Sequence, residues 1–181
     1  FMSRVLAEAL AKRLPDAAFV FNDGPMDANN GKSWYILRGE DPTNTRAASK
    51  KIAVDTVTKV SQGLKVPHEN IVVVGFSQGG GVAYDAGSCS APHVKAIVSL
   101  AGVLANGDCA LEAQAKPAPV LIVYNDQDPV VKPEMIQAFQ AQLTKTGYQS
   151  KLETVAGATH FPAPEGIVKA ENFIVAQLGG K

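Results

Sequence analysis

The chain reads as an α/β protein with a mostly parallel, doubly wound sheet and helices on both faces, and three observations carry that expectation. Short apolar, β-branched runs alternate with amphipathic stretches of helical period, the pattern of parallel strands joined by right-handed crossovers. One run, Ile71-Val72-Val73-Val74, passes straight into Gly75-Phe76-Ser77-Gln78-Gly79-Gly80, so a serine flanked by glycines stands on a strand-to-helix turn. The length, 181 residues with 46% hydrophobic content, allows one sizeable core, and a single domain over residues 1–181 is expected.

In chain order, Met2, Val5, Leu6, Ala9, Leu10 and Leu14 recur at helical spacing before Pro15-Asp16, which predicts a first helix. Ala17-Ala18-Phe19-Val20-Phe21 is apolar throughout and reads as a strand covered on both faces, ended by Asn22-Asp23-Gly24-Pro25. Asp27 to Pro42, with Asn29-Asn30-Gly31 and Trp34-Tyr35, reads as a long functional loop. Asn44 or Thr45 caps the next helix, whose apolar positions Ile52, Ala53, Val57 and Val60 run to a stop at Gly63. The strand at 71–75 follows, then a helix from Gln78 to Ala86. Further strands are expected at 94–100, 119–124 and 151–155. Helices over 133–146 and 164–178 have proline near the start and Gly147 or Gly179 just past the end. Residues 101–118 are too few and too small for a large cap.

Composition excludes several classes of partner. Seventeen basic side chains balance seventeen acidic ones, so no electrostatic footprint for nucleic acid or an anionic membrane surface is expected. The longest apolar runs are strand-length, far short of the roughly 20 residues that cross a bilayer. Phe1-Met2-Ser3-Arg4 lacks the pattern of a secretory signal, which leaves a cytoplasmic location as the expectation. Cys89 and Cys109 are expected as reduced thiols, and with His68, His93 and His160 scattered along the chain no metal site is expected.

A serine hydroxyl becomes a nucleophile when it is held clear of the packed interior beside a base, and a strained strand-to-helix turn does this. The glycines at 75 and 79 remove side chains that would collide across the turn, while the backbone N–H of Gln78 faces the place where an oxyanion would form. The pattern alone recurs by chance in about one chain in fifteen of this composition, so its context decides. Strand, helix and downstream partners are all present. Ser77 is therefore the candidate nucleophile, with Gln78 in a main-chain role.

Such a serine needs a base, and the base needs an acid that sets its tautomer. His160 lies in Ala156-Gly157-Ala158-Thr159-His160-Phe161-Pro162, a small-residue loop after the last strand, and is the candidate base. His68 and His93 occupy connecting segments where a solvated imidazole is ordinary. The acid should follow the strand ending at Tyr124, where Asn125-Asp126-Gln127-Asp128-Pro129 offers two aspartates. Asp128 is favoured because it lies further into the loop, with Pro129 fixing the next turn; Asp126 is read as a loop cap. Trp34, Val130 and Phe161 are the candidate apolar walls for substrate, with simple core packing as the alternative for each. No cofactor is called for.

Gly75 to Gly80, Asp128-Pro129-Val130-Val131 and Gly157 to His160 resemble the phospholipase/carboxylesterase family, which includes the acyl-protein thioesterases. Asn29-Asn30-Gly31 with Trp34-Tyr35 is similar to that family's long active-site loop. The resemblance spans nearly all of the chain and implies an α/β-hydrolase fold, Ser77, Asp128 and His160 as triad, and hydrolysis of carboxylic esters or thioesters. Family members also carry, ahead of the first helix, a strand whose His-Gly loop donates a second oxyanion hydrogen bond, and this sequence begins after it. A second donor is therefore expected from the loop Asp23 to Trp34 or from a neighbouring subunit, and an uncovered sheet edge favours a homodimer. The leading expectation is a carboxylesterase for small or short-chain esters. Rivals are an acyl-protein thioesterase or lysophospholipase, a cutinase-like enzyme, and a catalytically silent hydrolase-like binding module.

Overall fold

The computed structural model describes residues 2–28, 31–90, 92–103, 117–145 and 147–179. Four parallel strands form its main sheet: β3 (Val72–Phe76), β4 (Ala96–Leu100), β5 (Val120–Asn125) and β6 (Ser150–Val155), adjacent in chain order. In the register, Val74 pairs with Val98, Val98 with Leu121 and Leu121 with Lys151. Two short antiparallel strands, β1 (Met26–Ala28) and β2 (Gly31–Ser33), make a separate hairpin. The helices are α1 (Met2–Arg13), α2 (Thr45–Leu64), α3 (Gln78–Cys89), α4 (Pro133–Lys145) and α5 (Pro164–Leu178). Every helix read from periodicity is present, and the four expected strands from residue 71 onward shift by one or two residues at their ends.

Alternation along the strands builds two hydrophobic layers. Ile97, Val120, Ile122 and Tyr124 pack on one face with Val57 of α2, Val82 and Tyr84 of α3, and Ile136, Phe139 and Leu143 of α4. Val98, Leu100, Leu121 and Val123 face the other side, against Leu6 and Leu10 of α1 and Ile167, Ala170 and Ile174 of α5. Because both faces are covered, all six residues of β5 are buried, as expected of a strand that reads as a continuous apolar run. Among the described residues no helix is long and apolar enough to cross a membrane.

Local chemistry resolves the helix ends. Asn44, at φ 49°, caps α2 by accepting from the Ala47 N–H. Thr45 instead accepts from the Ile36 N–H and donates its hydroxyl to Asp41, whose carboxyl is held below its ordinary range first of all by the Thr45 N–H. Gly63 does not stop the helix. The left-handed residue is Lys65, φ 54°, whose N–H closes onto the Ser61 carbonyl.

Two further readings of the elements need correction. Residues 17–21 form no strand; Val20 and Phe21 are exposed, at 54% and 46%. An apolar run becomes a strand only when a neighbour takes its hydrogen bonds, and among the described residues β3 pairs with β4 alone. Between 17–21 and β3 lies an open cavity of about 890 Å³, lined in part by Leu6, Leu10, Phe19, Val57, Val72 and Val74. The expected loop over 27–42 contains β2 and the end of β1, with the Asn29-Asn30 pair lying outside the described residues. Cys109 and most of 101–118 also lie outside them.

Candidate active site

Ser77 stands between β3 and α3 at φ 53°, ψ −122°, a conformation that costs on the order of 1–3 kcal/mol and persists because its surroundings impose it. Its N–H donates to the Leu100 carbonyl at 2.8 Å, and its own carbonyl accepts from the Gly80 N–H at 2.9 Å. The turn is too tight for side chains on its inner side: a Cβ on Gly75 would run into the Gly79 carbonyl. A Cβ on Gly80 would lie 2.5 Å from Ser99 Oγ, so the start of α3 can settle against the end of β4 only as glycine.

This turn aims the hydroxyl at His160. Ser77 Oγ lies 2.7 Å from His160 Nε2, and His160 Nδ1 lies 2.8 Å from Asp128 Oδ2. The strand ends bring the three residues together from positions 77, 128 and 160, as parallel topology does at the carboxyl edge of such a sheet. Asp128 is fully buried at its side chain, and its other oxygen, Oδ1, accepts from the N–H groups of Val130 (2.7 Å) and Val131 (3.0 Å). Three hydrogen bonds thus satisfy a buried carboxylate and fix which oxygen meets the imidazole. The Phe76 ring sits 4.9 Å from the His160 ring and stacks on Phe161 at 5.3 Å, giving the imidazole an apolar flank.

The other candidates divide. Gln78 opens α3, so its N–H is one of the first-turn donors that have no partner within the helix and can face an oxyanion. Trp34 stands over the same turn, its indole nitrogen 3.4 Å from where a Gly79 Cβ would be. Phe161 and Val130 are exposed at 57% and 54% beside His160 and Asp128 in sequence. Asp126 caps the neighbouring loop as read, accepting from the Gly157 N–H at 3.0 Å. His68 differs from its reading: it is buried, not solvated, because its Nδ1 bonds the Pro92 carbonyl at 2.7 Å. His93 Nδ1 lies 3.1 Å from the Ser90 carbonyl.

Sequence reasoning missed the side chain of Gln78. Its Oε1 accepts from Ser33 Oγ (3.0 Å) and the Trp34 N–H (2.7 Å), while its Nε2 donates to the Tyr35 carbonyl (2.7 Å). The amide staples residues 33–35 to the nucleophile turn, and Ser49 Oγ secures the same segment through the Trp34 carbonyl. The staple also occupies the Trp34 N–H, which removes it as a substitute oxyanion donor. Gln78→Glu keeps the two acceptor contacts but sets a carboxylate oxygen against the Tyr35 carbonyl. It should lower unfolding stability by about 1–3 kcal/mol and raise KM more than it lowers kcat. Denaturant melts and steady-state kinetics check this, and wild-type values in both would show the staple to be idle.

The phospholipase/carboxylesterase family model matches residues 4–178. Acyl-protein thioesterase 1 of Neurospora crassa is 28% identical, the match covering 83% of this chain and 63% of that protein, so the chain spans under two thirds of that relative's length. Acyl-protein thioesterase 1 homolog 1 of Dictyostelium discoideum is 26% identical, covering 96% of this chain and 83% of the relative. Among solved structures, esterase PE8 is similar with a TM-score of 0.84 at 24% identity, covering 96% of this chain and 85% of its own. A carboxylesterase from Mesorhizobium loti gives 0.78 at 16% identity, over 96% and 82%. At these identities the structures speak for an α/β-hydrolase fold. The family match runs over nearly the whole chain, and the protein belongs to the phospholipase/carboxylesterase family of hydrolases.

Proposed function

We propose that the protein is a serine carboxylesterase acting on small or short-chain carboxylic esters through Ser77, His160 and Asp128. The observation that carries this reading is the unbroken hydrogen-bond chain from Ser77 Oγ through His160 to the buried Asp128. His160 Nε2 takes the hydroxyl proton as Oγ bonds the acyl carbon, and the Gln78 N–H steadies the oxyanion. As the tetrahedral species collapses, Nε2 returns that proton to the departing alcohol. Water then attacks the acyl-enzyme by the same route, releasing the acid and restoring Ser77. A small neutral ester is the partner this requires, and the open edge of β3 makes a second copy of the chain the protein partner we expect.

Thioester or long-chain substrates form the second reading, favoured by the acyl-protein thioesterases among the relatives. A series of p-nitrophenyl esters from acetate to palmitate separates the two, alongside labelling with a fluorophosphonate. Stoichiometric labelling at Ser77 with kcat/KM highest at acetate or butyrate supports the short-chain esterase. A maximum at long chains moves the assignment to the thioesterase or lysophospholipase reading. A folded protein that stays unlabelled indicates a silent binding module and overturns both.

A further inference from the structure

We propose that Asn125 is a positioning residue for His160: its buried carboxamide clamps the carbonyls of the two neighbouring residues, Thr159 and Phe161, and so sets the angle at which the imidazole meets Ser77. The inference rests on the esterase reading and deepens it. Asn125 is the last residue of β5 and is 1% exposed. Its Nδ2 donates to the Thr159 carbonyl and to the Phe161 carbonyl, both at 2.8 Å, and its Oδ1 accepts from the Ala163 N–H at 3.2 Å. One planar group thus holds the backbone immediately before and after His160, and a third point two residues on.

The surroundings are arranged to admit that amide. Gly157 presses against it; a Cβ at 157 would lie 3.0 Å from Asn125 Cγ, tighter than neighbouring atoms normally sit. The beginning of the same loop is held separately, by the Gln127 N–H on the Gly157 carbonyl and by Asp126 Oδ1 on the Gly157 N–H. Between Gly157 and Ala163 the described hydrogen bonds to the rest of the protein come from Asn125 and from the His160 ring itself. The preceding β5 residues are apolar: Val120, Leu121, Ile122 and Val123 are each at most 1% exposed. Burying an amide at the end of that run is costly unless all its hydrogen bonds are made, and both donors are used here. An apolar side chain would fill the space yet leave the Thr159 carbonyl without its donor, the Phe161 carbonyl with the Thr159 hydroxyl alone, and the imidazole free to swing. Displacements on the order of 1 Å in such a site cost about 10²-fold in rate.

The test is Asn125→Asp, nearly the same shape but without the two N–H donors. Folded variant, verified by circular dichroism at the assay temperature, should show kcat on p-nitrophenyl butyrate reduced about 10- to 100-fold with KM within about twofold. Fluorophosphonate labelling of Ser77 should slow in parallel. The proton resonance of the His160 Nδ1–H···Asp128 bond should shift or broaden, a signature that a merely structural residue would leave in place. Wild-type kcat together with a wild-type resonance would overturn the clamp. If N125D does not fold, Asn125→Ser keeps one donor: an intermediate loss of kcat at unchanged KM supports the clamp and wild-type kcat sinks it. A wild-type enzyme that neither labels nor turns over ester refutes the esterase reading instead, so the two failures are distinguishable.

Discussion

Ser77→Ala is expected to lower kcat for p-nitrophenyl butyrate by about 10⁴- to 10⁶-fold while leaving a folded protein. Alanine keeps the Cβ that the turn already tolerates at φ 53°, so the strand-to-helix geometry has no reason to relax. What disappears is Oγ, and with it both the bond to acyl carbon and the 2.7 Å contact that hands the proton to His160 Nε2. Residual turnover would come from water activated by the imidazole with the Gln78 N–H steadying charge, which accounts for the floor rather than zero. The same variant should lose fluorophosphonate labelling altogether. A fall of less than tenfold in kcat for the purified variant would mean that some other group is the nucleophile.

The size of that effect depends on features that differ in how legible they are. The nucleophile turn is local: glycine, serine and glycine at alternate positions 75, 77 and 79 after an apolar run leave few other conformations, so positions 75–80 could be read directly. His160 and Asp128 follow from topology, because parallel strands deliver their successor loops to one edge, and the loops after β5 and β6 each carry few ionisable side chains. The amide staples are different in kind. Gln78 and Asn125 act on backbone carbonyls and N–H groups more than thirty residues away, and a peptide group has no sequence signature that marks it as a partner.

Residues 17–21 show the opposite limit. Their apolar, strand-like composition is evident, but strand formation is decided by whether another backbone lies alongside, and among the described residues β3 pairs only with β4. His68 fails for a related reason. A proline-flanked turn normally exposes an imidazole, and only the approach of the Pro92 carbonyl reverses that. The hairpin of β1 and β2 is short and polar, so it carries no period long enough to separate it from loop.

Asp128→Asn is expected to lower kcat by about 10⁴-fold with little change in KM or stability, and the reason lies in which atom of the new amide can face the imidazole. In the native site Oδ1 accepts from the Val130 and Val131 N–H groups, while Oδ2 accepts from His160 Nδ1. An asparagine of the same shape must keep its oxygen on the two backbone donors, since turning the NH₂ towards them would bring donor against donor. The NH₂ therefore points at His160 Nδ1, which can pair with it only as an acceptor. The ring proton then resides on Nε2, the atom that has to receive the Ser77 proton, and the base is disabled with every heavy atom in place. Asp128→Ala removes the acid without imposing the wrong tautomer, but it leaves two buried N–H groups unpaired. It should therefore cost about 1–3 kcal/mol of stability that the asparagine variant keeps. Parallel kinetics and thermal unfolding of the two variants distinguish tautomer control from simple loss of charge. An asparagine variant more active than the alanine one would show that holding the ring matters more than where its proton sits.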